Sequence, residues 1–383
     1  MLMQWIPSRK AVSIPYQQIV AWPDRGVGVL PSPFPGSRSF TRHEIAFSMA
    51  RNMAKSTVRP AITRTLTRNA SNLMKALVDR NAVDLITLPD VDQLGDQALN
   101  AFAHDVGVGI AGLCMEGAGY VWRAHAKEVL PKARRPDYLW IHPLAATGVV
   151  VSEVKGMAGS TQSFSTLKAR VHEAFDEQVD HWQLELTPSG TPIVGGYAIG
   201  VRVSHSQAAQ VAAVRSHPLP ALPGLKPSRP SAGPDPAVVR SHFASALALM
   251  GLGGMSRQVA GLPFLPSPEM VLDLLHVEDM RIVVRHDRSG ATAIGMAEEA
   301  FLFATALAET RETDWFAPDE VSTPPTYQPR AEEDGERVGR WARLLVLAPD
   351  GLGLIEGRRR TERSLYGLWT PRGVELYRRT GLL

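Results

Sequence analysis

The chain carries a single cysteine, Cys114, in 383 residues. That scarcity excludes an internal disulfide and any zinc site built from several thiolates, and makes a reducing cytoplasm the expected setting. Long apolar runs are missing as well. The longest, VGVGIAGLCM at 106–115, stops at Glu116 after ten residues, against the roughly 20 that a bilayer-crossing helix requires. No membrane span and no membrane partner is therefore expected. The opening residues, MLMQWIPSRKAVSIPY, lack the basic, apolar and small-residue pattern of a secretory signal. The histidines show no H-E-x-x-H spacing, and GMAGS, GLGG and GAGY do not continue into the Gly-Lys-Ser/Thr of a phosphate loop. Neither zincin-type proteolysis nor nucleotide hydrolysis has support.

Net charge is also small, +3, but it is unevenly spread. Between Glu44 and Asp79 stand six basic residues, Arg51, Lys55, Arg59, Arg64, Arg68 and Lys75, and no acid. An unopposed basic stretch suits phosphate contacts that track a nucleic-acid backbone without reading sequence, so Arg51, Lys55, Arg59, Arg64 and Arg68 are the candidate nucleic-acid-binding residues. From Gly357 onward seven arginines mix with Tyr366, Trp369 and Tyr377. Such a mixture reads equally as a stacking surface or as a small β-rich core.

What the chain has in quantity is a soluble protein's composition, 44% hydrophobic and 21% charged, at a length that predicts more than one core. Residues 1–94 read as a loop-rich entry followed by basic helices, with Pro60 closing one helix and opening the next. From 95 to 210 the order is helix, strand, strand, helix, strand, an α/β sandwich core. In the second helix Leu167, Val171, Phe175, Gln178 and Trp182 share one face, four apolar and one not. Seven prolines between Pro218 and Pro236 mark residues 211–236 as a semi-rigid linker. Residues 237–383 read as a separate α+β domain, with a helix over 291–309 and a turn at Pro349-Asp350-Gly351.

The chemistry concentrates in RRPDYLWIHPLAATGVVVSEVKG, 134–156. Alternation along a strand puts Glu153 and Lys155 on one face. A turn at Ala145–Gly148 would then set Asp137 opposite the end of the second strand, near Lys155 and Gly156. Two carboxylates so close favour protonation of one unless a cation lies between them. Oxygen ligands completed by water suit Mg²⁺ or Mn²⁺, and a lysine beside such an ion fits phosphodiester hydrolysis.

Pro136-Asp137, then Glu153-Val154-Lys155, followed by a helix and a strand, resembles the signature of the PD-(D/E)XK nuclease superfamily, with its restriction-endonuclease-like α/β/α core. The resemblance covers roughly 95–204. It implies Asp137 and Glu153 as metal ligands, Lys155 as the group that assists the attacking water, Glu116 on the preceding helix as a further ligand and Gln178 as a catalytic-site residue of the following helix. Glu116 reads equally as a solvated helix end, and Gln178 as a satisfied core amide. Lys168 and His172, one turn apart, read as an exposed helix face or as phosphate contacts. The short interval from Glu116 to Asp137 leaves little room for the strand that many members place before the aspartate. The implied activity is metal-dependent cleavage of nucleic acid, with DNA as the expected partner and RNA an open alternative, in restriction, repair, recombination or anti-phage defence; a homodimer or partner protein would engage the C-terminal domain. The alternative is a nucleic-acid or protein-binding subunit whose nuclease-like fold is structural.

Overall fold

A computed structural model describes residues 5–23, 32–55, 60–131, 135–145, 148–219, 233–262, 270–277, 280–285, 292–309, 324–338, 342–357, 364–370 and 373–378. The chain divides into two compact units, Met1–Met53 with Thr67–Val239, and Ala54–Leu66 with Arg240–Leu383. Both mix α and β structure.

The first unit is built on strands β1 (Arg9–Pro23) and β2 (Ser37–Thr41), helix α1 (Arg42–Met53), helix α2 (Pro60–Leu77) from Thr67 onward, helix α3 (Asp96–Gly117), strand β3 (Trp122–His125), the single turn α4 (Ala126–Val129), strands β4 (Tyr138–Ile141) and β5 (Val149–Ala158), helix α5 (Phe164–Ala174), and strands β6 (Ile193–Val203) and β7 (Gln210–Leu219). The strands form one mixed sheet in the order β2-β1-β7-β6-β5-β4-β3. The β3, β4 and β5 strands pair antiparallel in sequence, whereas β6 returns parallel to β5.

Three expectations are corrected here. Within the entry, residues 9–23 are not loop but the 15-residue strand β1, between β2 and β7, while most of the turn formers, residues 24–31, lie outside the described residues. Its Pro15 disguises the strand, and the register shift between Ser13 and Tyr16 is where a residue without an N–H is tolerated. Residues 95–210 are accordingly no separate core, since β1, β2 and α1 belong to the same unit. The interval before Asp137 does hold a strand: β3 needs only four residues, and Trp122 at its head is fully buried.

Helices cover the two faces of this sheet. On one, Ile45 and Met49 of α1 and Val106 and Ile110 of α3 cluster with Tyr138, Trp140, Val150 and Val154. Among the described residues α3 is the one helix long and apolar enough to cross a membrane, but 61% of its apolar window is buried inside the unit. It lies close because glycine meets glycine: a Cβ on Gly107 would stand 2.9 Å from Gly156 Cα, and one on Gly156 would overlap the Ala103 carbonyl. On the other face Leu167 and Val171 of α5 fill the space a side chain at Gly200 would take.

The proline-rich segment differs from expectation at its start, because β7 continues through Leu219; residues 220–232 lie outside the described ones.

The second unit contains helix α6 (Pro236–Leu249) from Arg240 onward, helix α7 (Gly253–Val259), strands β8 (Met270–Val277), β9 (Met280–Arg285) and β10 (Thr292–Ala297), helix α8 (Glu298–Glu309), and strands β11 (Arg330–Val338), β12 (Ala342–Leu347), β13 (Leu352–Gly357), β14 (Ser364–Thr370) and β15 (Gly373–Arg378). Its sheet has the order β11-β12-β13-β10-β9-β8-β14-β15, antiparallel throughout. The single helix expected over 291–309 is a strand followed by a helix. Thr292–Ala297 alternates well enough to join the sheet, and Glu298 and Glu299 then suit the positive end of the helix dipole. The turn at Pro349-Asp350-Gly351 is present, with Gly351 at a φ of 81° and the Asp350 side chain accepting from Leu352 N.

Candidate active site

Backbone pairing places Asp137 at the mouth of β4. Its N–H donates to Ser152 O at 3.0 Å, and its carbonyl accepts from Ala126 N at 2.9 Å. The register is Tyr138 against Ser152 and Leu139 against Val151, and the Trp140 indole locks it by donating to Ser152 Oγ at 2.8 Å. Continued one step, this register sets Asp137 against Glu153 rather than against Gly156. The expected four-residue turn is the source of the error. β4 ends at Ile141 and β5 begins only at Val149, with a 3₁₀ turn at Pro143–Ala145 in the interval.

The shift draws the groups closer. Asp137 Oδ2 accepts from Val154 N at 3.0 Å, and Lys155 Nζ lies 2.7 Å from Glu153 Oε1. Gln178 closes the cluster: its amide nitrogen donates to both Glu153 oxygens at 3.1 Å, and its amide oxygen accepts from Lys155 Nζ at 3.0 Å. The amide orientation is assigned from these partners. Asp137, Glu153, Lys155 and Gln178 are thus brought together at one end of β4 and β5.

Gln178 reaches this position from a π-helical turn, Phe175–Val179, that prolongs α5. The wider turn lets Phe175 and Val179 both be buried, with Val179 over Gly196, while Gln178 between them faces Glu153.

Burial shapes the electrostatics. Glu153 is 3% exposed. Burial, and then the field of Asp137, push its pKa up to about 7, against the pull of Lys155. Burial also raises Asp137, opposed by the Val154 N–H and by Lys155. A pair of carboxylates that both resist ionisation will accept a proton or a cation. Lys155 is 34% exposed along its side chain, so solvent and solutes reach the site from its side.

Two residues of α3 escaped sequence reasoning. His104 is exposed, with Nδ1 3.3 Å from Asp105 Oδ1. The Asp105 hydrogen bond, and then the fields of Asp105, Asp137 and Glu153, hold its pKa above the ordinary value against burial. Its backbone N is next to Gly156. In the sequence these two are an unremarkable polar pair in an apolar helix; the one available signal is that His104 stands one turn before Gly107.

Glu116, by contrast, is removed from the site. It follows the Gly107–Gly156 crossing by nine positions, about 13 Å along a helix axis at ~1.5 Å per residue. Its Oε1 lies 2.6 Å from Arg51 and 3.8 Å from Arg123, and its side chain is 9% exposed. The same ion pair corrects Arg51, which at 2% exposure does not face phosphate. Of the other candidate nucleic-acid contacts, Lys55 is half-buried and Arg68 exposed. Arg59 and the side chain of Arg64 lie outside the described residues. Lys168 and His172 turn toward β1, His172 Nε2 lying 2.7 Å from Tyr16 Oη and Lys168 Nζ 5.2 Å from the Tyr16 ring centre.

Among the described residues no three His, Cys, Asp or Glu side chains already stand in ligating positions. The site offers two converging carboxylates with His104 at its rim. Comparison with protein-family models, with curated proteins and with solved structures finds no match to this chain.

Proposed function

We propose that the first unit is a metal-dependent phosphodiester hydrolase acting on nucleic acid, with a restriction-endonuclease-like core and DNA as its substrate. The observation that carries this reading is the convergence of Asp137, Glu153 and Lys155 at one end of β4 and β5, with Lys155 Nζ 2.7 Å from Glu153. The arrangement of elements supports it: α3, the antiparallel β3-β4-β5, then α5 and a β6 parallel to β5 form the α-β-β-β-α-β succession of that core.

The donors fit a hard cation. Asp137 and Glu153 would hold Mg²⁺ or Mn²⁺, and water and a phosphate oxygen would complete the shell. The ion, when bound, supplies charge for the phosphorane and acidifies water. Lys155 would hydrogen-bond the attacking water and offset the negative charge that grows on the non-bridging oxygens as the new O–P bond forms; the P–O bond to the leaving strand then breaks, and its oxygen takes a proton from water. Gln178 keeps Lys155 and Glu153 in register. Residues 237–383, the second unit for the most part, are left for substrate or partner binding.

The test is incubation of the purified chain with supercoiled plasmid and Mn²⁺ or Mg²⁺, beside Asp137→Ala and Lys155→Ala. Nicking by the wild type and its loss in both variants is the expected result. Equal nicking by all three contradicts the assignment, and salt-sensitive DNA binding without nicking by any favours a binding subunit.

A further inference from the structure

We infer that Gln178 determines which cation the site accepts, by denying Glu153 the bidentate mode of ligation. This rests on the metal-dependent reading above. A carboxylate has about four lone-pair directions. The Gln178 amide nitrogen lies 3.1 Å from Oε1 and 3.1 Å from Oε2, so it stands across the carboxylate fork, where a cation bound by both oxygens would have to sit. Lys155 Nζ occupies a further direction on Oε1 at 2.7 Å. These three contacts leave one direction on Oε2, and a cation would also displace the hydrogen bonding between Asp137 and Glu153.

Asp137 is less restricted, because the Val154 N–H at 3.0 Å takes one direction on Oδ2. Glu153 is therefore the carboxylate limited to one oxygen. Ligation by single oxygens, with waters filling the shell, suits a small octahedral ion, whereas Ca²⁺ gathers 6–8 oxygens and favours bidentate carboxylates. Gln178 is held to this task from both ends: Lys155 fixes its amide oxygen at 3.0 Å, and the π-helical turn fixes its backbone between the buried Phe175 and Val179.

The experiment is calorimetric titration of the whole chain with Mn²⁺ and separately with Ca²⁺, without nucleic acid. The titrations are run at about pH 8.5, above the raised pKa of Glu153. The variants are Gln178→Met, which keeps the side-chain volume and removes the donors, and Gln178→Ala, with Asp137→Asn as the site control. The wild type is expected to prefer Mn²⁺. Both Gln178 variants are expected to shrink the Mn²⁺ to Ca²⁺ affinity ratio by about tenfold, through tighter Ca²⁺ binding, because the bidentate direction is freed. An unchanged ratio in both variants, with Mn²⁺ binding still lost in Asp137→Asn, overturns the inference and leaves the metal site standing. Absence of Mn²⁺ binding to the wild type overturns the metal reading and the inference with it.

Discussion

At the scale of single residues, two buried carboxylates cannot both be charged without company. Lys155 places its ammonium against Glu153. Lys155→Ala should lower the cleavage rate by about 10²-fold or more in single-turnover assays, the usual loss when a group stabilising developing charge is removed, while Mn²⁺ affinity changes little. A parallel loss of ion binding would mean that the lysine is structural. The pH dependence has a definite sign. Because Glu153 is raised to about 7, Mn²⁺ affinity should climb as pH rises through that value and level off above it, since the ion must displace a proton. The Arg51–Glu116 pair is a different case. Arg51→Ala withdraws the 2.6 Å partner of a buried carboxylate and should cost about 3 kcal/mol in urea unfolding, as truncated buried ion pairs do. Sequence reasoning had given both residues functional roles because their charges were visible and their pairing was not; they are 65 positions apart.

At the scale of elements, legibility depended on how far each segment's chemistry was local. Asp137, Glu153 and Lys155 could be read because they stand in short strands with a spacing of two. Their register could not, since a loop length decides it, and the interval from Ile141 to Val149 exceeds a tight turn. The β1 strand was hidden by Pro15 and by Gln17 and Gln18, polar residues in a strand whose neighbours come from distant parts of the chain. The β3 strand was hidden by being four residues long. Two glycines make a prediction at this scale. Gly156 is where α3 crosses β5, so Gly156→Ala must drive the helix away from the sheet, beside Lys155. The expected cost is about 1–3 kcal/mol of stability, with a fall in cleavage rate larger than that of a distant variant of equal stability. Wild-type melting and cleavage in Gly156→Ala would show that the close approach is not needed.

At the scale of the whole molecule, the functional proposal concerns one of two compact units, the one that holds Asp137, Glu153, Lys155 and Gln178. Of the charged patches along the chain, Arg51 is turned inward, Arg68 is exposed, and much of the arginine-rich tail lies outside the described residues. Site strain should be visible in the stability of the ion-free chain. A carboxylate raised to about 7 binds more protons folded than unfolded between about pH 4.5 and 7, so stability falls as pH rises across that window. Glu153→Gln removes this term. The difference in melting temperature between variant and wild type should therefore grow in favour of the variant from pH 4.5 to 7, and parallel curves would contradict the burial argument.

The most direct measurement is anomalous scattering from a crystal of the whole chain soaked in Mn²⁺. The account predicts one strong peak held jointly by Asp137 and Glu153, at about 2.1–2.3 Å from a single oxygen of Glu153. A peak elsewhere, or none at saturating Mn²⁺ with the two carboxylates still side by side, would contradict it.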